Sequence, residues 1–494
     1  MVLRFQPDKK VKKLIIKMKN FLSSNNLNIH ILLLIILILI FRIFSIFFSP
    51  LEISADEAQY WLWSQKFEFG YFSKPPMIAW LISMSNFIFG DSISYIRLFS
   101  PIINFFTGVI LFILFKEIFN KENYNFLIVI LIWLTMPIVG VGSFLISTDT
   151  PLLFFWSLSL LFIYYSIKNN RLSFWLMAGL FSGLAVLSKY AGLFLLLGVI
   201  LYTLFNKSKR HSLLNFGAYI IGLIITSCPS IIWNINNNFY TIRHLSDNAV
   251  IDSPKYSLNG AIQFLFDQIF VIGPIMFLVF ILSIFSLNKK ISWLIWFIFP
   301  VFILMTIQGF FSEANANWAA TALPGICIFC SFLLQKKKFF SISSISVNII
   351  FSITLIMVSI FGNITQFGPK SDPLRKLKGW QDLSEIIIDK SEKYKVNHFV
   401  VNRRGIAAPL IYYLRDSNIL IRLIPSENHP KNHYELNYSL KKNETKKIIF
   451  ISEKNTLPVI WQDSMEVEKL ATHIFDVSKN KKRELKFSLI KLTY

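Results

Sequence analysis

The chain has 494 residues, 54% of them hydrophobic and 16% charged, with a formal net charge of +22. Apolar runs of about 20 residues recur, the length needed to cross a bilayer, so composition excludes an ordinary soluble domain and leaves room for a membrane bundle plus a soluble part. Much of the positive charge lies in short connections between those runs, which points to membrane orientation and away from nucleic acid.

In chain order, residues 1–28 form a basic segment carrying Lys9, Lys10, Lys12, Lys13, Lys17 and Lys19. The apolar stretch 29–48 that follows is too long for a signal-peptide core and lacks a small-residue cleavage site, so an uncleaved first helix is expected. Further spans are expected near 93–115, 124–141, 150–167, 172–188, 190–205, 213–233, 262–286, 291–309, 316–334 and 341–362, roughly eleven in all. Three cysteines are too few for a disulfide framework. Cys228, Cys327 and Cys330 all fall in apolar stretches and read as buried small residues.

Lys and Arg gather in alternate connections: the N-terminus, 116–121, 168–171, 207–210, 289–290 and 336–338. The positive-inside rule then puts the N-terminus in the cytoplasm and residues 364–494 on the outer side of the membrane. The remaining connections, on the outer side, hold nearly all the unusual polar residues: Asp56, Glu57, Lys74, Asp149, Lys189, Arg243, His244, Glu313 and Asn317. Any chemistry is therefore expected at the outer membrane–water boundary.

The tail differs from the rest. Helical spacing runs over 379–394, and 407–415 reads as a second helix. Segments 398–402, 419–423, 447–452 and 487–492 read as short strands. A small α/β domain is expected there, beyond a membrane part at 29–363.

Each polar candidate has a structural reading beside its functional one. Ser54-Ala55-Asp56-Glu57 fits a capping box, which accounts for Glu57 and leaves Asp56 free to face a cavity. Tyr60, Trp61 and Trp63 suit an interfacial helix. Lys74 precedes Pro75-Pro76, which keep it extended, and it either snorkels or meets a lipid phosphate. Lys189 stands between two apolar segments with almost no loop, and Arg243-His244 could join it. Asp149, before Thr150-Pro151, reads as a helix cap, as do Glu313 and Asn317. Asp56, Glu57 and Asp149 could alternatively hold a hard divalent cation.

The segments DEAQYWLW, GYFSKPPMIAWL, STDTPLLFFW, GLAVLSKYAGLFLL and EANANWAATALPG, in this order, resemble the bacterial branch of the protein O-mannosyltransferase superfamily, glycosyltransferase family 39, and its relatives the lipid A aminoarabinose transferases. The resemblance implies a mainly α, polytopic GT-C bundle and a polyprenyl-phosphate-linked sugar donor used on the outer membrane face. It implies Asp56 as the catalytic base, and its neighbour Glu57 is kept as the second catalytic candidate. It implies Lys74 near the donor phosphate and Lys189 in the cavity; Lys189, Arg243 and His244 are further phosphate-binding candidates from their placement alone. Tyr60, Asp149, Glu313 and Asn317 would line the cavity. Ser73 and Asn317-Trp318 depart from the lipid A transferases, which favours a general family 39 assignment over a lipid A acceptor. The acceptor is left as a lipid, glycan or protein hydroxyl. The competing classes are a lipid or glycan transporter, or flippase, and an O-antigen-ligase-like enzyme.

Overall fold

The computed structural model describes residues 9–120, 124–205, 213–249, 256–361, 373–425, 429–453, 465–478 and 481–492. The basic connection 207–210 and the expected domain boundary at 363/364 lie outside these residues.

The chain opens with α1 (Lys9–Phe48), whose segment Asn28–Phe48 has a mean hydropathy of 3.1. Two short helices follow, α2 (Ala55–Ser64) and α3 (Met77–Phe89), and then the long α4 (Ile93–Phe119). The expected span at 124–141 is broken into α5 (Ile128–Thr135) and α6 (Pro137–Val141). Pro137 is the cause: it pushes Met136 to ψ 132, outside the helical region, and brings no N–H of its own. The bundle continues through α7 (Asp149–Asn169), α8 (Leu172–Ser188), α9 (Leu193–Phe205), α10 (Leu213–Asn236) and α11 (Tyr240–Ala249).

A second correction concerns the span expected at 262–286. It is a bent pair, α12 (Leu258–Ile272) and α13 (Pro274–Phe285), turning through 110°. Gly273 takes a positive φ of 100°, which a side chain would resist, and Pro274 restarts the helix at its first position. The membrane part closes with α14 (Ile295–Phe311), α15 (Leu323–Leu334) and α16 (Lys338–Phe361). Among the described residues seven helices are long and apolar enough to cross a bilayer, or eight with the bent pair counted once. The sequence count of roughly eleven exceeds this because α8 and α9, with 17 and 13 residues, fall below the ~20 needed and α5–α6 is broken.

Close helix approach has a visible origin in α8 and α10. A Cβ on Gly179 would lie 2.0 Å from the Tyr219 carbonyl oxygen, and one on Gly222 would lie 2.3 Å from that of Leu176. Reciprocal glycines let the two backbones touch, as small residues do between membrane helices.

The tail forms α17 (Trp380–Tyr394), β1 (His398–Val401), α18 (Arg404–Tyr413), β2 (Leu420–Leu423), α19 (His433–Asn437), β3 (Lys447–Ser452), β4 (Met465–Ser478) and β5 (Lys481–Leu492). The sheet order is β2-β1-β3-β5-β4, with β1 parallel to β2 and β3, and β5 antiparallel to β3 and β4. The α/β expectation holds. β4 was not anticipated, and β5 begins earlier than the strand expected at 487. Leu383, Ile387, Phe399, Ile406 and Leu410 of the tail share one buried cluster with Ala58, Trp61, Trp63 and Ile78 of α2 and α3. The tail core is thus continuous with the helix that carries Asp56.

Candidate active site

Ser54 is extended (φ −76, ψ 160) and caps α2. Its hydroxyl accepts the Glu57 N–H at 3.1 Å, and Glu57 Oε2 accepts the Ser54 N–H at 3.0 Å, so the expected capping box is formed. This box turns the two acids in different directions. Glu57 is 1% exposed. Its carboxylate takes Arg97 Nε at 2.8 Å and Arg97 Nη2 at 2.9 Å, and also the Ile146 N–H at 3.3 Å. Arg97 further donates to the carbonyls of Leu51 and Glu52 at 3.1 and 2.9 Å. Glu57, grouped with Asp56 by sequence, is therefore an interior strut between α2, α4 and the chain before α7. A buried, fully hydrogen-bonded carboxylate is unavailable to substrate.

Asp56 faces outward, with its side chain 64% exposed. It forms an ion pair with Arg404, the first residue of α18, and Arg404 Nη1 donates to Gln59 Oε1 at 3.1 Å. Gln59 Nε2 in turn donates to the Ser73 hydroxyl at 3.4 Å. Sequence reasoning missed Arg404. Its only signal was a pair of arginines at a strand–helix junction, in a domain read as separate from the site.

Asp149 and Lys189 form the second ion pair, Nζ to Oδ1 at 2.7 Å, and Asn317 Nδ2 donates to Asp149 Oδ2 at 2.8 Å. Lys189 holds an extended backbone (φ −161, ψ 140) between α8 and a short 3₁₀ turn at Tyr190–Gly192, which aims it sideways out of the helix row. The cap expected at Asp149 is shifted: Thr148 is the N-cap, without a side-chain bond, and Asp149 is the first helical residue. Asn317 sits in a 3₁₀ helix, Ala316–Ala322. Two distant segments thus converge on Asp149.

Lys74 is half-buried in the loop between α2 and α3. The Tyr71 N–H donates to the Lys74 carbonyl at 3.0 Å, and Pro75-Pro76 lead directly into α3, so the loop is held at both sides of the lysine. Among the described residues its ammonium has no hydrogen-bond or ion-pair partner. Burial, and then the nearby charge of Lys189, push its pKa below the usual lysine value, against the pull of Asp56 and Asp149. Lys74 and Lys189 line a common cavity of about 330 Å³ with Ser73, Tyr190, Gln308 and Trp318, closed by Phe194 and Met305. Two cations among apolar lining residues suit an anion attached to a hydrocarbon chain.

Tyr60 is 7% exposed. Its phenol is raised well above its ordinary pKa by burial and by Asp56 and Asp149, so it stays protonated beneath the site. Arg243 and His244 do not join the cavity. Arg243 is exposed on α11, and the His244 ring packs against Phe72 at 5.8 Å between centroids. Glu313 is exposed and also outside the cavity lining. Because Arg97 occupies Glu57, the three carboxylates once considered as metal ligands do not converge. No group of three or more His, Cys, Asp or Glu side chains suited to a metal is found among the described residues.

Residues 73–233, about a third of the chain, match a family described as dolichyl-phosphate-mannose-protein mannosyltransferase. The chain is 29% identical over 430 residues to the lipid A galacturonosyltransferase RgtD of Rhizobium johnstonii, covering 85% of this chain and 90% of that protein. In structure it resembles ArnT from Cupriavidus metallidurans in the apo state, with a TM-score of 0.65 at 12% identity, covering 93% of this chain and 97% of that one.

The chain is a glycosyltransferase with a GT-C fold.

The family 39 resemblance and the polytopic GT-C fold with a C-terminal sheet domain are thereby borne out. This glycosyltransferase is also 24% identical over 165 residues to an undecaprenyl phosphate-alpha-4-amino-4-deoxy-L-arabinose arabinosyl transferase of Pseudomonas fluorescens, 32% of this chain and 30% of that one. It is an integral membrane protein, built on apolar helices of spanning length.

Proposed function

We propose that this enzyme moves a sugar from a polyprenyl-phosphate donor to a lipid acceptor of the lipid A type, on the outer face of the bacterial inner membrane. One observation carries the reading. The unpartnered ammonium of Lys74 shares an amphiphilic cavity with Lys189, while the exposed carboxylate Asp56 stands on α2 a short way along the same chain segment. In a single displacement, Asp56 takes the proton of the acceptor hydroxyl. The acceptor oxygen attacks the anomeric carbon with inversion, and the bond to the phosphate oxygen breaks. Lys74 and Lys189 meet the charge that grows on the departing phosphate, and Asp149 and Asn317 hold Lys189 in place.

ArnT of Cupriavidus metallidurans, which shares the fold, has been crystallised with undecaprenyl phosphate, and that supports a polyprenyl carrier here. The lipid A name of the Rhizobium relative supports a lipid A acceptor, against the sequence expectation drawn from Ser73 and Asn317-Trp318. The relative matching 85% of the chain is named for galacturonic acid, and those matching 32% for an amino sugar, so names alone leave the sugar open. Arg243 and His244, exposed or stacked away from the cavity, have no part in this mechanism.

The test is binding of polyprenyl phosphate to the purified, reconstituted protein, followed by intrinsic fluorescence. Lys74→Ala is expected to weaken it by roughly 10- to 100-fold, the worth of a charge-assisted contact. Unchanged affinity in that variant would remove the phosphate role.

A further inference from the structure

Arg404 is the one charged group of the site that comes from the tail. Its guanidinium bridges Asp56 and Gln59 from the N-terminal end of α18, whose flank packs on α2 within the shared core. Its side chain is 33% exposed and that of Asp56 is 64% exposed, so the pair is open to solvent and to an incoming ligand. Beside it, a Cβ placed on Gly405 would meet nothing within 4 Å. The arginine fork carries five N–H donors, and the contacts with Asp56 and Gln59 engage only its two terminal nitrogens. Behind Gln59 stands the neutral Ser73 hydroxyl, so no second carboxylate balances the guanidinium from that side.

This arrangement conflicts with the proton transfer unless something changes. The guanidinium sits on Asp56 Oδ1 and competes with an acceptor hydroxyl for the carboxylate. Asp56 must therefore be released as the reaction begins. A guanidinium that leaves Asp56 with nothing in return loses its counter-charge, which is costly in a half-buried position. A neutral sugar offers only hydroxyls in exchange. An amino sugar offers a second cation, which the guanidinium repels. A sugar carboxylate offers like for like, and bidentate geometry as well.

We propose that Arg404 is a specificity-determining residue that exchanges Asp56 for the carboxylate of an acidic, uronic-acid-class sugar on the polyprenyl-phosphate donor. The proposal rests on the glycosyl-transfer reading above. The exchange couples donor recognition to activation. The sugar carboxylate takes the guanidinium, and Asp56 is freed to accept the proton of the acceptor hydroxyl. The acceptor oxygen then forms its bond to the anomeric carbon, while the phosphate oxygen leaves with its electron pair onto Lys74 and Lys189. Water meets a masked base until the donor is seated, which limits wasteful hydrolysis.

The experiment uses the full chain in proteoliposomes with lipid A and three synthetic polyprenyl-phosphate donors. These carry galacturonic acid, galactose and 4-amino-4-deoxyarabinose. The unmutated enzyme is expected to prefer the uronate over galactose by roughly 10- to 100-fold in kcat/KM, the worth of a charge-assisted hydrogen bond, and to use the amino sugar least. The methyl ester of the uronate donor, which removes the charge without touching the protein, should lose that advantage. Arg404→Gln should collapse the preference toward one, and Arg404→Lys should keep part of it. A preference in Arg404→Gln as large as in the unmutated enzyme, a methyl ester used as well as the acid, or a native preference for the neutral or amino sugar would each overturn the proposal. Turnover of none of the donors would instead bring down the glycosyl-transfer reading, and the role of Arg404 with it.

Discussion

Arg97 grips Glu57 through two parallel contacts, Nε to Oε1 at 2.8 Å and Nη2 to Oε2 at 2.9 Å, with side-chain exposures of 1% and 2%. The adjacent acid, Asp56, is open to solvent. Two neighbouring carboxylates therefore have separate work, one in the interior and one at the surface.

Removing one member of the buried pair strands the other charge. Glu57→Ala or Arg97→Ala is expected to cost ~3–5 kcal/mol of stability, whereas Asp56→Asn, which loses only an exposed pair, should cost less than ~1 kcal/mol. Thermal unfolding in detergent measures both. Equal losses at 56 and 57 would contradict the division.

Activity should divide the other way. Asp56→Asn is expected to lower kcat by roughly 10²- to 10⁴-fold while polyprenyl phosphate still binds. Transfer at the native rate would leave the reaction without Asp56 as its base.

Asp149 holds Lys189 and Asn317 on its two oxygens at 2.7 and 2.8 Å. Asp149→Ala releases the lysine from its place in the cavity, and the KM for the donor should rise about tenfold, the worth of one charge-assisted hydrogen bond. Asn317→Ala, losing a neutral donor, should raise it less. Steady-state kinetics with the donor varied distinguishes the two.

Lys74 gives a pH dependence. Its lowered pKa means that donor affinity, which needs the ammonium, falls as pH rises through a value below the ordinary 10.5. Stability of the free enzyme runs oppositely: between the lowered pKa and 10.5 the unfolded chain binds the proton that the folded one gives up, so stability rises with pH there. Lys74→Arg keeps its charge and should move the loss of donor binding to higher pH. An identical binding profile in both proteins would assign the titration elsewhere.

The contact between α8 and α10 tolerates no side chain at Gly179, where a Cβ would meet backbone at 2.0 Å. Gly179→Ala is expected to force the helices apart and to destabilise the bundle by about 1–3 kcal/mol, the usual cost of overpacking. Unfolding of the purified variant checks this.

Hydropathy located almost every helix because lipid selects against charge along whole turns. It overcounted spans at the short α8 and α9 and at Pro137, and it missed the bend at Gly273–Pro274; proline and glycine break an apolar run without altering its composition. The capping box told Glu57 from Asp56, since its chemistry is local to four residues. Lys74, Lys189, Asp149 and Asn317 were legible as isolated polar residues in an apolar setting. Arg404 was not, because charge is ordinary in a solvated domain and only the tertiary packing of α18 on α2 gives it meaning. β4 was hidden by charged residues alternating along an edge strand, such as Glu466, Glu468 and Lys469, which are exposed.

The ion pair between Asp56 and Arg404 joins an early residue to a late one, across the whole order of synthesis. A ribosome delivers Asp56, Lys74, Asp149 and Lys189 to the membrane well before the tail has emerged. The acid is without its clamp until α18 has folded and docked. A nascent or truncated protein therefore presents Asp56 without its ion-pair partner, and only a chain made through α18 can pair the two.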